Sequence, residues 1–290
     1  MATKRTGAAH TRVLADNEHI RQFHKLVDAF TSHNHWQVYT DFLQLSADVF
    51  LSDQNPEHPR EKHYMEIMQQ YRGKEPGYFA QMLGCVMEYM RGTNRECLSA
   101  MWEEYAANAN LGQFFTPWSL CQFMAETQLN GVDWEQFTPE KKCYISDPSC
   151  GGGRTLTAAL QKVPLHKLDS VCCHGIDIDS NVCYVAALNM LFFNANSYIV
   201  HGNALTLEVW RVYRTIHHWT GGTIIEITDP EEMKRIITMG LSERKKTEET
   251  VVKPQGKTIP TNDPPKAVTA VKTAENGNKS DLQQLLLFEM

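Results

Sequence analysis

The residues best suited to chemistry sit in short polar segments, each directly after a run of β-branched or apolar residues. The first is Asp147-Pro148-Ser149-Cys150-Gly151-Gly152-Gly153. Successive glycines let backbone approach a ligand closely and leave amide donors at the start of the next helix. No Gly-Lys-Ser/Thr comes after them, so this is not a P-loop, and the spacing is not that of a GxGxxG dinucleotide loop. A tight strand-to-helix turn is the plain alternative. The second segment is Gly175-Ile176-Asp177-Ile178-Asp179. An acid at this strand end can accept hydrogen bonds from ribose hydroxyls, which favours Asp177. Asp179 is either a further ligand or a helix N-cap. In the third, His201-Gly202-Asn203-Ala204-Leu205, Asn203 either meets an adenine amino group or caps a helix beginning near Leu205.

A fourth segment lies upstream, Gly112-Gln113-Phe114-Phe115-Thr116-Pro117. Two phenylalanines in a loop that leads into a helix form either a core contact between domains or a lid over an organic cofactor. In the second reading Phe114, Phe115, Thr116 and Pro117 line the ligand, and main-chain groups near Phe115 and Thr116 hold a carboxylate.

These segments need a scaffold, and the hydrophobic pattern supplies one. Apolar residues recur at helical spacing in Ile20, Phe23, Leu26, Val27 and Phe30, and again from Trp36 to Phe50. Further helical stretches run from about Glu61 to Tyr71, Tyr78 to Met90 and Arg95 to Ala107, separated by Gly, Pro and Asn breakers. From Lys142 onward, short strand-like runs alternate with helical stretches: CYISD, VCCHGID, SYIVHG and TIIEITD, with helices expected over Thr155–Val163, Asn181–Phe193, Leu205–Thr215 and Glu231–Met239. Four such units predict an α/β fold: a helical N-terminal domain, then a parallel Rossmann-like sheet with ligands at the strand ends. The expected divisions are a flexible N-terminus over 1–17, a helical domain over 18–110 and a ligand-binding domain over 111–240. Residues 241–281 contain four prolines and no aromatic, which predicts a disordered linker, and 282–290 form a short apolar peptide.

Composition narrows the classes further. The 290 residues are 42% hydrophobic with a net charge of −6, so the chain has material for a core but is no polycation that holds nucleic acid by bulk charge. No stretch reaches the length of a membrane span, and the first residues lack the apolar centre of a signal peptide. The eight cysteines include no CxxC pair, so neither a disulfide framework nor a zinc site is suggested. A cytoplasmic protein is expected.

Together GQFFTP, DPSCGGGRTL, GIDID and HGNAL, in this order, resemble the N6-adenine DNA methyltransferases of the type I modification-subunit kind, over roughly residues 20–215. The resemblance implies a class I methyltransferase core that binds S-adenosylmethionine. It assigns the first segment to the methionine part of the cofactor, Asp147, Pro148, Ser149, Gly151 and Gly153 to the glycine-rich loop, and Asp177 to the ribose. It also implies DNA as the partner, with a specificity subunit or a homo-oligomer supplying recognition, in a bacterium, a phage or another mobile element.

The family's catalytic segment, Asn/Asp-Pro-Pro-Tyr/Phe, orients the target amino group and stacks on a flipped base. Here the fourth strand-like run ends in Asp229-Pro230-Glu231-Glu232. Asp229 and Pro230 occupy the first two places, while two glutamates replace the second proline and the aromatic. The same four residues also read as a helix start. The length left after this strand is short of a complete core, so catalysis with borrowed elements and cofactor binding without methylation both stay open. A second partial match, Asn262-Asp263-Pro264-Pro265, falls in the linker with no strand before it. Finally, Gln284-Leu285-Leu286-Leu287-Phe288 resembles the bacterial sliding-clamp-binding pentapeptide, with Gln284, Leu285, Leu287 and Phe288 as the contact residues. Docking of this peptide on the protein's own core is the other reading.

Overall fold

The computed structural model describes residues 14, 16–51, 58–106 and 115–239. Five helices come first: α1 (Glu18–Asp28), α2 (His35–Leu51), α3 (Pro59–Met68), α4 (Glu75–Thr93) and α5 (Leu98–Ala106). Their boundaries follow local chemistry. The Asn17 side chain accepts from the backbone N–H groups of His19 and Ile20 and so caps α1, whose buried stripe is Ile20, Phe23, Leu26 and Val27. His58 caps α3 ahead of Pro59, and Asn94 ends α4 in the left-handed conformation with φ 51°.

The sheet domain opens with α6 (Trp118–Leu129), which leads to β1 (Cys143–Asp147), α7 (Arg154–Leu160), β2 (Val171–Asp177), α8 (Ser180–Phe192) and β3 (Ser197–Asn203). Then come β4 (Glu208–Ile216) and β5 (Thr223–Ile227), and a last helical stretch over 230–239. The spatial order is β1-β2-β3-β4-β5. β1, β2 and β3 are parallel, whereas β4 runs antiparallel to both β3 and β5. The sheet is therefore mixed, which corrects the expectation of a parallel one.

The change arises at 205–215, where the apolar spacing predicts a helix and β4 stands instead. Asn203 does not cap a helix there. Its side chain accepts from Leu205 N (2.9 Å) and Thr206 N (3.2 Å), closing a hairpin turn that Leu207 completes at φ 59°. The run Val209, Trp210, Val212, Tyr213, Thr215 and Ile216 is dominated by β-branched and aromatic residues, which favour a pleated surface.

Alternation along the strands separates two faces. Cys173, Ile199, Tyr213 and Ile224 pack with α8 and the N-terminal helices in one continuous core. Ile176, Val200, Val212 and Ile227 pack beneath Ile236 and Ile237 of the last helix. Because the first core runs without a break from Ile20 to Ile224, the helical segment is seated directly on the sheet domain. Among the described residues no helix is long and apolar enough to cross a membrane.

Candidate functional site

The carboxyl ends of β1 and β2 lie side by side, with Asp147 opposite Gly175 in the register. Asp147 closes the turn just after it: one carboxylate oxygen accepts from Ser149 N at 3.0 Å and the other from the Thr155 hydroxyl. Asp177 reaches across to the glycine loop, accepting from Gly151 N at 2.9 Å and, through its other oxygen, from Asp179 N at 3.0 Å. The Asp177 carboxylate keeps acceptor capacity for a further donor. Burial raises the Asp177 pKa, and the backbone N–H groups of Asp179, Gly151 and Ile178 pull in the opposite direction.

The glycines of the loop have distinct reasons to be glycine. Gly151 stands at φ 53°, and a Cβ there would come within 2.7 Å of the Phe115 ring. A Cβ on Gly152 would meet Ser99 Oγ at 2.2 Å and Val185 Cγ1 at 2.8 Å. The Phe115–Pro117 segment, the glycine loop and the β2 end thus converge on a pocket of ≈250 Å³, lined by Phe115, Thr116, Asp147, Ser149, Gly151 and Asp177 among others.

Beneath the pocket lies a buried polar network with Arg154 at its centre. The guanidinium donates to Glu96 at 2.8 Å, to Glu103 at 2.9 Å and to the Thr116 carbonyl at 3.4 Å, and stands 5.5 Å from the Phe115 ring centroid. Glu103 also accepts from Phe115 N at 3.2 Å. Asn189 donates to Gly152 O at 2.8 Å. Burial by itself lowers the Arg154 pKa, but Glu96 and Glu103 reverse the shift and raise it, so the charge is secure. Residues of the helical segment therefore hold both the glycine loop and the Phe115–Thr116 segment. Sequence reading missed Glu96, Glu103 and Asn189; the RT after the glycines was the one visible trace of the network.

The remaining expected residues fall in different places. Asp179 caps α8, its carboxylate accepting from Asn181 N and Val182 N. Asn203 serves the β3–β4 turn. Asp229 stands at the end of β5, on the same rim of the sheet, but four strand spacings from β1, roughly 19 Å at ~4.8 Å each. Its carboxylate accepts from Glu232 N at 2.7 Å and its carbonyl from Met233 N, so Asp229 and Pro230 begin the last helix. Phe114 and the peptide residues Gln284, Leu285, Leu287 and Phe288 lie outside the described residues, as do 241–281.

Residues 96–220 match the N-6 DNA Methylase family model. No curated protein matches the chain. Among solved structures, the DrdV–DNA complex is similar at 18% identity and a TM-score of 0.33, covering 69% of this chain and 24% of that one. The type I restriction-modification methyltransferase subunit from Streptococcus thermophilus is similar at 14% identity and a TM-score of 0.29, covering 66% of this chain and 45% of that one. The chain thus spans less than half the length of either. The family match runs from Glu96, under the glycine loop, through Asp147, Gly151 and Asp177 to the loop before β5, and it ends before Asp229. Over these residues, less than half of its length, the chain is similar to the N-6 DNA methylase family.

Proposed function

We propose that the chain binds S-adenosylmethionine in the pocket between Phe115, the glycine loop and Asp177, and serves methylation of adenine N6 in DNA. The observation that carries this reading is the convergence of three separate segments on one ≈250 Å³ pocket. The donor set suits the ligand. Asp177 offers acceptor positions to ribose hydroxyls, and the Gly151 conformation brings backbone close to the ligand. The Phe115–Thr116 segment, held by Glu103 at the Phe115 N–H and by Arg154 at the Thr116 carbonyl, would place the Thr116 N–H toward a carboxylate. Bound S-adenosylmethionine supplies a sulfonium-activated methyl group, whose transfer depends chiefly on alignment of the acceptor. Calorimetric titration with S-adenosylmethionine tests the pocket. Binding is expected, and its loss in D177A at unchanged circular dichroism supports the assignment. Absence of binding by the parent protein overturns it.

The position of Asp229 favours a second reading, a cofactor-binding module that does not itself methylate. As a helix cap at the opposite side of the sheet, Asp229 is remote from the pocket. Tritium transfer from labelled cofactor to unmethylated DNA separates the two. Transfer abolished by D229A assigns catalysis to Asp229 and Pro230. Transfer that survives in D229A places the catalytic group elsewhere, and none in the parent favours the module. In either case a specificity subunit, or a second copy of the chain, contributes DNA recognition. Capture of the bacterial sliding clamp by the terminal peptide is proposed alongside, and L287A/F288A should abolish retention on immobilised clamp.

A further inference from the structure

A second, larger cleft of ≈1380 Å³ opens on the helical side of the sheet, between α2–α3 and the β4–β5 ribbon. Its chemistry is set by an irregularity in pairing. His201 lies opposite Arg211 while the next residue, Gly202, lies opposite Val209, so Trp210 is an extra residue on β4. Bulges of this kind re-aim side chains and recur beside binding sites. Here Trp210 is turned against His201, with ring centroids 4.8 Å apart and an interplanar angle of 64°, and it remains 45% exposed.

Three features give this cluster the character of a binding site. Arg211 also lines the cleft and, among the described residues, has no carboxylate partner; by contrast Arg60 is held by Asp48 at 3.2 Å and Glu226 at 2.6 Å. His201 encloses its Nδ1 without a hydrogen-bond partner among the described residues, an arrangement that a bound donor or water relieves. His201 is also the register neighbour of Asp177, so the cleft adjoins the carboxyl end of β2. An exposed indole, a guanidinium with no carboxylate partner among the described residues and an imidazole whose Nδ1 accepts no hydrogen bond there complement an aromatic base joined to a phosphate.

We propose that the Trp210–His201–Arg211 cleft binds a nucleotide unit, with the base stacked on Trp210 and the phosphate facing Arg211. The site is separate from the ≈250 Å³ pocket, and its failure or success leaves the cofactor reading untouched. The shared chemistry can come from a single DNA strand or from a free nucleotide, and two arms distinguish them. Fluorescence anisotropy of labelled oligothymidylate is measured on the full chain, with dAMP and duplex DNA as competitors.

The W210A variant should bind the oligonucleotide about five- to 150-fold more weakly, since stacking on one aromatic contributes on that scale. W210F should restore most of the affinity by returning a ring. R211Q should flatten the salt dependence by about 0.7 in log–log slope, the contribution of one phosphate on a single strand. W219A, whose indole is 79% exposed in a loop outside the cleft lining, should bind like the parent. Displacement by dAMP assigns the site to a free nucleotide, and displacement by unlabelled strand but not dAMP assigns it to the strand. Equal affinity in W210A and the parent, equal loss in W219A, or competition by duplex as effective as by single strand would overturn the proposal.

Discussion

The same dipeptide, Asp-Pro, ends two strands of the sheet, and the two copies do opposite things. After β1, Asp147-Pro148 enters a loop whose glycines can adopt left-handed backbone and lie flush against Phe115 and Ser99. After β5, Asp229-Pro230 is succeeded by two glutamates and continues at once into a helix, with the Asp side chain on Glu232 N. In the first case the carboxylate holds open a concave turn; in the second it satisfies a helix end. The residues just beyond the proline, glycines in one copy and glutamates in the other, decide the outcome. The loop also has support from outside itself, through Arg154, Asn189 and Ser99, whereas Asp229 has only its own helix to cap.

The sharpest way to break this contrast is to remove the support. R154A leaves Glu96 and Glu103 without their cation, and loss of one partner from a buried pair typically costs about 3–5 kcal/mol. We expect chemical denaturation to show a loss of that order, with cofactor binding abolished. R154K should recover part of the stability but not the geometry at Thr116, because an ammonium cannot reproduce the planar fork. Affinity falling further than stability in R154K marks Arg154 as a positioning residue.

A smaller effect is expected at Asp177. D177N keeps the shape but removes the charge and turns one of the two acceptors that hold Gly151 and Asp179 into a donor. Charge-assisted hydrogen bonds contribute about 1.5–3 kcal/mol, so S-adenosylmethionine should bind roughly ten- to 150-fold more weakly by calorimetry. The pH dependence has a defined sign. Burial raises the Asp177 pKa, and in the proposed site the ionised form is the one that would accept from ribose hydroxyls. Affinity should therefore be full above that raised value and decline on acidification from a pH above the ordinary aspartate range. D177N should lack this limb of the titration.

The contrast also explains which features were legible in the sequence. Glycine triplets, strand-end aspartates and cap residues answer to backbone geometry within a few positions, so Asp147, Gly151 and Asp177 could be placed from spacing. Helix stripes such as Ile20, Phe23 and Val27 were visible for the same reason. The network beneath the loop was not, because Arg154 meets Glu96 and Glu103 across 58 and 51 residues of chain. β4 was misread because its apolar residues sit at spacings that suit either period, and the bulge at Trp210 breaks the alternation that identifies a strand. That error carried a consequence: with a helix after β3, the next strand would rejoin a parallel sheet, whereas the β3–β4–β5 meander carries Asp229 to the far side.

The smallest predicted effect concerns Asp229 itself, and it tests the comparison most directly. If Asp229 is a helix cap, D229A removes one acceptor from an exposed helix start and costs about 1 kcal/mol of stability. D229N should cost less, since asparagine caps nearly as well as aspartate. Cofactor affinity should be the same in all three proteins, because β2, β3 and β4 stand between Asp229 and the pocket strand β1. A catalytic aspartate behaves otherwise: methyl transfer would collapse in D229A while stability moved only slightly. The denaturation midpoint and the labelled-methyl assay therefore form one experiment. A shift in the midpoint with transfer unchanged keeps the two Asp-Pro strand ends in different roles. Lost transfer at a nearly unchanged midpoint would give Asp229 a chemical role that its place on β5 does not express.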